Sequence, residues 1–344
     1  MENHEWRASD DAMNGSRGQR AVISSGLAAF IRDAYDIKEE IRLTDLGGSS
    51  CLNTSFDARG RRYVARVYRP YVGAGRAREI GAVRRALSEG GLPCPGILPD
   101  KAGAFFREYE GRIVEVEEWV EHDGMMDTLA RVQRALPLLG KMHALLEGVH
   151  VGDEGAFPRF ANYIAPEKVL EMTERGCRRL GGWKSSAYHQ RLIAPSLELA
   201  ERTSLGAPAG LQLVHGDYWD SNVLFLEGSV SGVLDFDFMG ARPRIDDLAL
   251  TLYFASLRFK HDFSFGEWTS ILRKLVEAYE SGLETPLTDR EHAALPAAVA
   301  RQPLWSIGGW VALLDDDALA HAHASDMLEP VEWALTLVQN VDAL

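Results

Sequence analysis

The sequence predicts an α+β chain of two lobes, a small strand-rich N-terminal one and a large, mostly helical C-terminal one. Three observations carry that expectation. Short strand-like runs bounded by turn residues crowd residues 40–120, helical periodicity dominates from residue 126, and one strand-rich island interrupts the helices at 211–238. The length of 344 residues suits two domains or one two-lobed unit, and 46% hydrophobic with 25% charged residues is an ordinary globular composition.

Residues 1–20 are polar, lack the apolar stretch of a signal peptide, and read as a disordered tail. The N-terminal lobe is expected over residues 21–122. A helix over 21–34, with Ser24 or Ser25 as cap, precedes strands at Ile41–Leu46, Leu52–Phe56 and Tyr63–Tyr68. Gly47-Gly48-Ser49-Ser50 and Asp57-Ala58-Arg59-Gly60 separate them. Ile80, Val83 and Leu87 set a helix over 76–89, which Gly90-Gly91 stops. Phe105–Tyr109 and Ile113–Val120 make a hairpin around Glu110-Gly111. The boundary falls near His122-Asp123-Gly124. The C-terminal lobe, 123–344, is expected to hold helices over 126–148, 166–180, 187–203, 245–257, 266–282, 288–300, 303–314 and 328–341.

Composition excludes some functions. Residues 1–120 carry 18 basic and 18 acidic side chains, and residues 121–344 carry 19 and 32, so the whole net charge of −13 lies in the second part. That balance argues against nucleic-acid binding, and an acidic cleft there would attract a cationic ligand. No apolar run reaches the roughly 18 residues of a membrane span. Cys51, Cys94 and Cys177 are too scattered for a disulfide framework or a zinc site, which suits a reduced, cytoplasmic protein.

The island carries the chemistry. It reads His215-Gly216-Asp217, then Asn222, then two strands flanking a turn at Glu227–Val230, then Asp235-Phe236-Asp237. Pairing 226 with 231 and 223 with 234 sets Asn222 opposite Asp235, where an amide oxygen and a carboxylate suit a hard cation such as Mg²⁺. Asp217 lies in the loop leading to the same end. Phosphoryl transfer needs one carboxylate to take the proton of the attacking hydroxyl, and an amide plus a second carboxylate for the metal. A plain Asp- and Asn-capped hairpin would explain any one of these residues, but not the ordered set.

HGDYWDSN at 215–222, LDFD at 234–237 and RIDDLA at 244–249 resemble motifs of the aminoglycoside phosphotransferase and choline kinase-like superfamily, and the resemblance spans roughly residues 40–340. It implies a two-lobed protein-kinase-like fold and an ATP- and Mg²⁺-dependent small-molecule kinase, with GTP as the other possible donor. Asp217 is then the catalytic base, and Asn222 and Asp235 are metal ligands. Asp237 holds substrate or a second metal, or only caps the loop. Arg66, on the third strand, fills the place of the cation on the phosphates. Glu79 resembles the helix glutamate that pairs with that cation. Gly47, Gly48 and Ser49 could cover the phosphates with backbone N–H groups. Glu118 and Val120 lie in the segment whose backbone would hold adenine.

His143 reads as a packed structural histidine, His215 as a hydrogen-bonded support of the loop, and Asp247 as a helix cap. Asp315, Asp316 and Asp317, with His321 and His323, read as a solvated helix end rather than a metal cluster. A protein kinase fits less well than a kinase with a small-molecule acceptor, because the only Ala-Pro-Glu, at 165–167, precedes the catalytic loop. A metal-dependent hydrolase built on His215, Asp217, Asp235 and Asp237 is the rival reading, and a degenerate, binding-only kinase fold is another. The acidic second part favours an aminoglycoside or another amine-bearing antibiotic as acceptor, with a homoserine- or choline-type metabolite as the alternative.

Overall fold

The computed structural model describes residues 20–48, 51–158, 161–183, 187–204, 210–314 and 316–340. Helix α1 (Leu27–Ala34) precedes a five-stranded antiparallel sheet of order β1-β2-β3-β5-β4, formed by β1 (Thr44–Asp45), β2 (Leu52–Ala58), β3 (Arg61–Val67), β4 (Arg107–Tyr109) and β5 (Arg112–Glu118). Helix α2 (Ala74–Glu89) lies between β3 and β4 in sequence. The expected capping serine is not used: α1 starts after Gly26, and Ser24 Oγ bonds Tyr109 Oη instead.

Period-two alternation along β2 and β3 divides the sheet's two faces. Leu52, Phe56, Tyr63, Ala65, Val67, Val114 and Val116 pack with Leu27, Ile31 and Ile41 into a separate small core. On the other face Arg66 stands directly opposite Glu115, and Val64 opposite Glu117. Tyr68, Ile80, Val83, Leu87 and Ile113 belong to the large core that continues into the helical part, so α2 is buried in that core.

The helical part contains α3 (Leu129–Glu147), α4 (Asp153–Ala156), α5 (Pro166–Gly182), α6 (Ala187–Thr203), α7 (Arg244–Phe259), α8 (Phe265–Glu280), α9 (Asp289–Arg301), α10 (Asp317–Ala324) and α11 (Leu328–Gln339). The run expected as a helix over 303–314 is a π-helix, Trp305–Val311. It lies close on α5, where a Cβ at Gly176 would meet Ile307 O at 2.3 Å. Capping boxes start α8 at Ser264 and α9 at Thr288. No helix among the described residues is long and apolar enough to cross a membrane.

The island forms short strands: β7 (Gln212–Val214), β8 (Val223–Leu226) and β9 (Ser229–Val233), with β6 (Gly124–Met125) beside β8 and β10 (Gly240–Arg242) beside β7. The expected register is corrected here. The turn is Glu227-Gly228, both at positive φ, so Leu226 faces Ser229 and Val223 faces Val233. A two-residue turn with both φ positive matches the right-handed twist of the strands better than the four-residue turn that was expected. An irregularity between Leu224 and Phe225 takes up one residue. Asn222 O therefore accepts from Leu234 N at 2.8 Å, and Asp235 lies one residue past the pair.

Candidate active site

Strand β7 delivers His215, and the chain then turns through Gly216 at φ +80°. A Cβ there would lie 2.1 Å from Phe238 O, so both the turn and the approach of the 236–238 turn exclude a side chain. The loop is held from below by Asp247. Its Oδ2 accepts from His215 N at 3.0 Å and its Oδ1 from Gly216 N at 2.9 Å. His143 Nε2 donates to the same carboxylate at 3.0 Å, and Tyr279 Oη lies 2.7 Å from His143 Nδ1. Burial alone would raise the Asp247 carboxyl, but His143, His215 and Arg242 outweigh it and hold the group below its ordinary range. Asp247 is thus not a cap but a buried clamp in the first turn of α7, while His143 is the structural residue expected.

His215 Nδ1 accepts from Asp217 N at 3.1 Å, so Nε2 carries the proton and donates to Leu234 O at 2.9 Å. One neutral imidazole thereby ties the Asp217 loop to the Asp235 turn. Burial keeps it from gaining a proton.

Both oxygens of Asp217 are held by amides. Asn222 Nδ2 donates to Oδ2 at 2.8 Å and to the Asp217 main-chain O at 2.9 Å, and Asn162 Nδ2 donates to Oδ1 at 2.7 Å. Burial and the neighbouring Asp235 charge push the Asp217 carboxyl up to about 8 against those two bonds. That range suits a base acting near neutral pH.

Asp235 stands in the left-handed region at φ +61°, ψ +72°. Its Oδ1 lies 2.6 Å from Arg66 Nη2, which is also 2.9 Å from Asp237 Oδ1. Asp237 Oδ2 accepts a hydrogen bond from the Cys51 thiol at 2.9 Å and from Arg69 Nη2 at 3.4 Å. Burial would raise Asp237, but Arg66 and Arg69 hold it low. Arg76 of α2 donates to Asp237 O at 2.9 Å and to Met239 O at 2.6 Å, which bolts the turn to the helix.

The residues fit a divalent cation. Both side-chain hydrogen bonds of Asn222 run through Nδ2, which turns Oδ1 away as an oxygen donor. Asp235 supplies a carboxylate with 25% side-chain exposure, and the sealed Asp237 Oδ1 accepts no hydrogen bond despite the nearby Arg66. Among the described residues no group of three or more His, Cys, Asp or Glu could hold a metal, so the set depends on the amide.

Glu79 does not pair with Arg66, which corrects the expectation. Its Oε1 accepts from Gly152 N at 2.9 Å, and a Cβ on Gly155 would meet its Oε2 at 2.0 Å. Arg66 is instead drawn to Asp235 and Asp237. The side chain that α2 sends to the sheet is Arg84, whose Nη1 lies 2.8 Å from both Glu115 and Glu117. Burial pushes Glu115 up to about 8 even against Arg84.

Gly47 and Gly48 have φ +84° and +101°, and Gly47 N bonds Asp45 Oδ1 at 2.8 Å. Ser49 lies outside the described residues. Glu118 N donates to Gly96 O at 2.9 Å, Val120 O meets His122 Nδ1 at 2.9 Å, and Val120 packs over Gly232. Asp315 lies outside the described residues. Asp316 caps α10 through Leu319 N, and Asp317 pairs with Arg179, as a helix end does. His321 and His323 stack on Trp183 and Trp310.

Sequence reasoning missed Asn162, Arg69, Cys51 and Arg76. Arg69 directly follows the Tyr63–Tyr68 run and Cys51 the glycine loop, so adjacency could have flagged them. Nothing in the local pattern marks Asn162.

Residues 47–295 match the model of the phosphotransferase enzyme family. A homoserine kinase of Gluconacetobacter diazotrophicus is 28% identical over 214 residues, 62% of this chain and 63% of that protein, so the chain matches less than two thirds of that relative's length. The fold is shared with an amicoumacin kinase solved with AMP-PNP, Ca²⁺ and Ami (TM-score 0.65, 14% identity, 93% of both chains). It is also shared with a microcompartment-associated aminopropanol kinase (TM-score 0.62, 18% identity, 93% of this chain and 99% of that one). With that match over more than half of its length, the chain belongs to the phosphotransferase enzyme family.

Proposed function

We propose that the protein transfers the γ-phosphate of a nucleoside triphosphate, ATP or GTP, to a hydroxyl of a small amine-bearing alcohol. The observation that carries this is Asp217, with each carboxylate oxygen on an amide and with Asp235 and Asp237 across from it on Arg66. Asp217 takes the hydroxyl proton, and Asn222 keeps the carboxylate in place. Arg66 turns from the two aspartates to the phosphates when nucleotide enters between the parts assigned as 21–122 and 123–344. A Mg²⁺ ion would be held by Asn222 and Asp235, and when bound it supplies positive charge against the phosphates. The backbone of 118–120 is assigned to the adenine, and the Gly47-Gly48 turn to the phosphates.

Names among the relatives tilt the acceptor from the antibiotic first expected toward a short amino alcohol, homoserine and aminopropanol being the ones named. An amine-bearing antibiotic is the second reading, favoured by the net charge of −13. The test is an ADP-release screen over homoserine, aminopropanol, choline and aminoglycosides, with ATP and GTP compared and Asp217→Asn as control. Release that depends on one acceptor and is lost in the control supports the kinase. Release that needs no acceptor would favour the hydrolase.

A further inference from the structure

Asn162 is buried, and its Nδ2 donates to Asp217 Oδ1 at 2.7 Å. It lies in the short segment between α4 and α5, and the two residues that follow it are each seated. The Arg242 guanidinium lies 4.8 Å over the Tyr163 ring. Ile164 is buried against the π-helix, where a Cβ on Gly308 would meet its Cδ1 at 2.8 Å. Arg242 Nη2 in turn donates to Phe238 O at 2.8 Å, on the turn that carries Asp237. Pro166 then starts α5 at its first turn. Asn162 is thus delivered to the base by a segment fixed at two successive positions.

The two amides divide the work on Asp217. Asn222 lies five residues on in the same loop and moves with the base, so it cannot set where that loop stands relative to the helical part. Asn162 comes from 55 residues away. Asp247 seats the backbone of the loop, and Asn162 is the bond from outside the loop that fixes the carboxylate itself against the wall of α5 and the π-helix. Each carboxylate oxygen has two lone pairs, so a bond from Asn162 leaves Oδ1 able to accept from a substrate hydroxyl while its direction is set. Small errors in such a direction are costly to the rate.

We infer that Asn162 is a positioning residue for phosphoryl transfer: it orients the Asp217 carboxylate toward the acceptor hydroxyl and acts through Asp217 alone. This rests on the reading of Asp217 as the base. The test is a double-mutant cycle with Asn162→Ala, Asp217→Asn and the pair, using the best acceptor of the screen and single-turnover detection for the slow variants. Asn162→Ala should lower kcat by about 10–100-fold with nucleotide KM within about twofold. In the Asp217→Asn background the same change should cost less than about twofold, because the group it orients is gone. Asn162→Ser, which keeps a donor, should recover part of the loss and serves in the cycle if the alanine variant fails to fold. Equal losses in both backgrounds, an unchanged kcat, or a rise in acceptor KM alone would overturn the inference. An Asp217→Asn enzyme that keeps its turnover would instead sink the base assignment, and the inference with it.

Discussion

Arg66 Nη2 lies 2.6 Å from Asp235 Oδ1, a contact between strand β3 and the 236–238 turn that spans 169 positions of sequence. The cation assigned to the phosphates and the carboxylate assigned to the metal thus neutralise each other. On those proposed assignments, each must release the other before it can serve.

That release predicts opposite effects of one substitution. Arg66→Gln should raise the KM for nucleotide about tenfold or more, because a charge-assisted phosphate contact is lost. It should also tighten binding of Mn²⁺ alone, followed by electron paramagnetic resonance, because the competing guanidinium is gone. Weaker Mn²⁺ binding in the variant would show that Arg66 supports the metal set instead of opposing it.

Asp217→Asn should cut turnover by at least ~10²–10⁴, the usual worth of a positioned base. It should also stabilise the fold. With its carboxyl pushed up to about 8, folded Asp217 binds a proton that the unfolded chain has lost above about pH 4. The native state therefore loses stability as pH rises from about 4 to 8. The melting temperature of the variant should exceed the parent's by a few degrees at pH 8, with the gap closing toward pH 5, as differential scanning calorimetry would read. A gap independent of pH would mean that the carboxyl titrates normally.

Asp247 behaves with the opposite sign. Its folded carboxyl is held low, so its contribution is present above the unfolded value near 4 and is lost as pH falls through the folded one. Asp247→Ala strands two main-chain N–H groups and the His143 ring, and should cost about 3–5 kcal/mol. Urea denaturation at pH 7 checks the cost. The parent, but not the variant, should show the extra acid-induced loss below pH 4.

For the acceptor, charges within a Debye length of ~8 Å at physiological salt would help recruit a cation. At saturating nucleotide, KM for an amine-bearing acceptor should rise with added KCl, whereas KM for a neutral alcohol should stay flat. A best acceptor that is neutral, or a flat KM for the amine, would make the acidic surface only a solubilising one.

Local order made much of this legible in the chain itself. His215-Gly216-Asp217, Asn222 and Asp235-Phe236-Asp237 lie within 23 residues, and short strands with tight turns bring neighbours in sequence together whatever surrounds them. Helix α6 was legible to the residue, and α2, α5, α7, α8 and α9 to within two or three, because their apolar spacing is a property of the segment. Tertiary structure alone decided three things. The rotation of α2 turned Glu79 toward Gly152 and Arg84 toward Glu115 and Glu117, since packing of Ile80, Val83 and Leu87 in the large core sets which face of the helix meets the sheet. The two-residue turn at Glu227-Gly228 shifted the pairing by two at Leu226 and, past the irregularity, by one at Val223, since backbone twist chooses the turn. Asn162, Arg69, Arg76 and Asp247 reached the site from distant segments. A hydrogen bond between residues far apart leaves no period in sequence, because it depends on where the intervening chain packs.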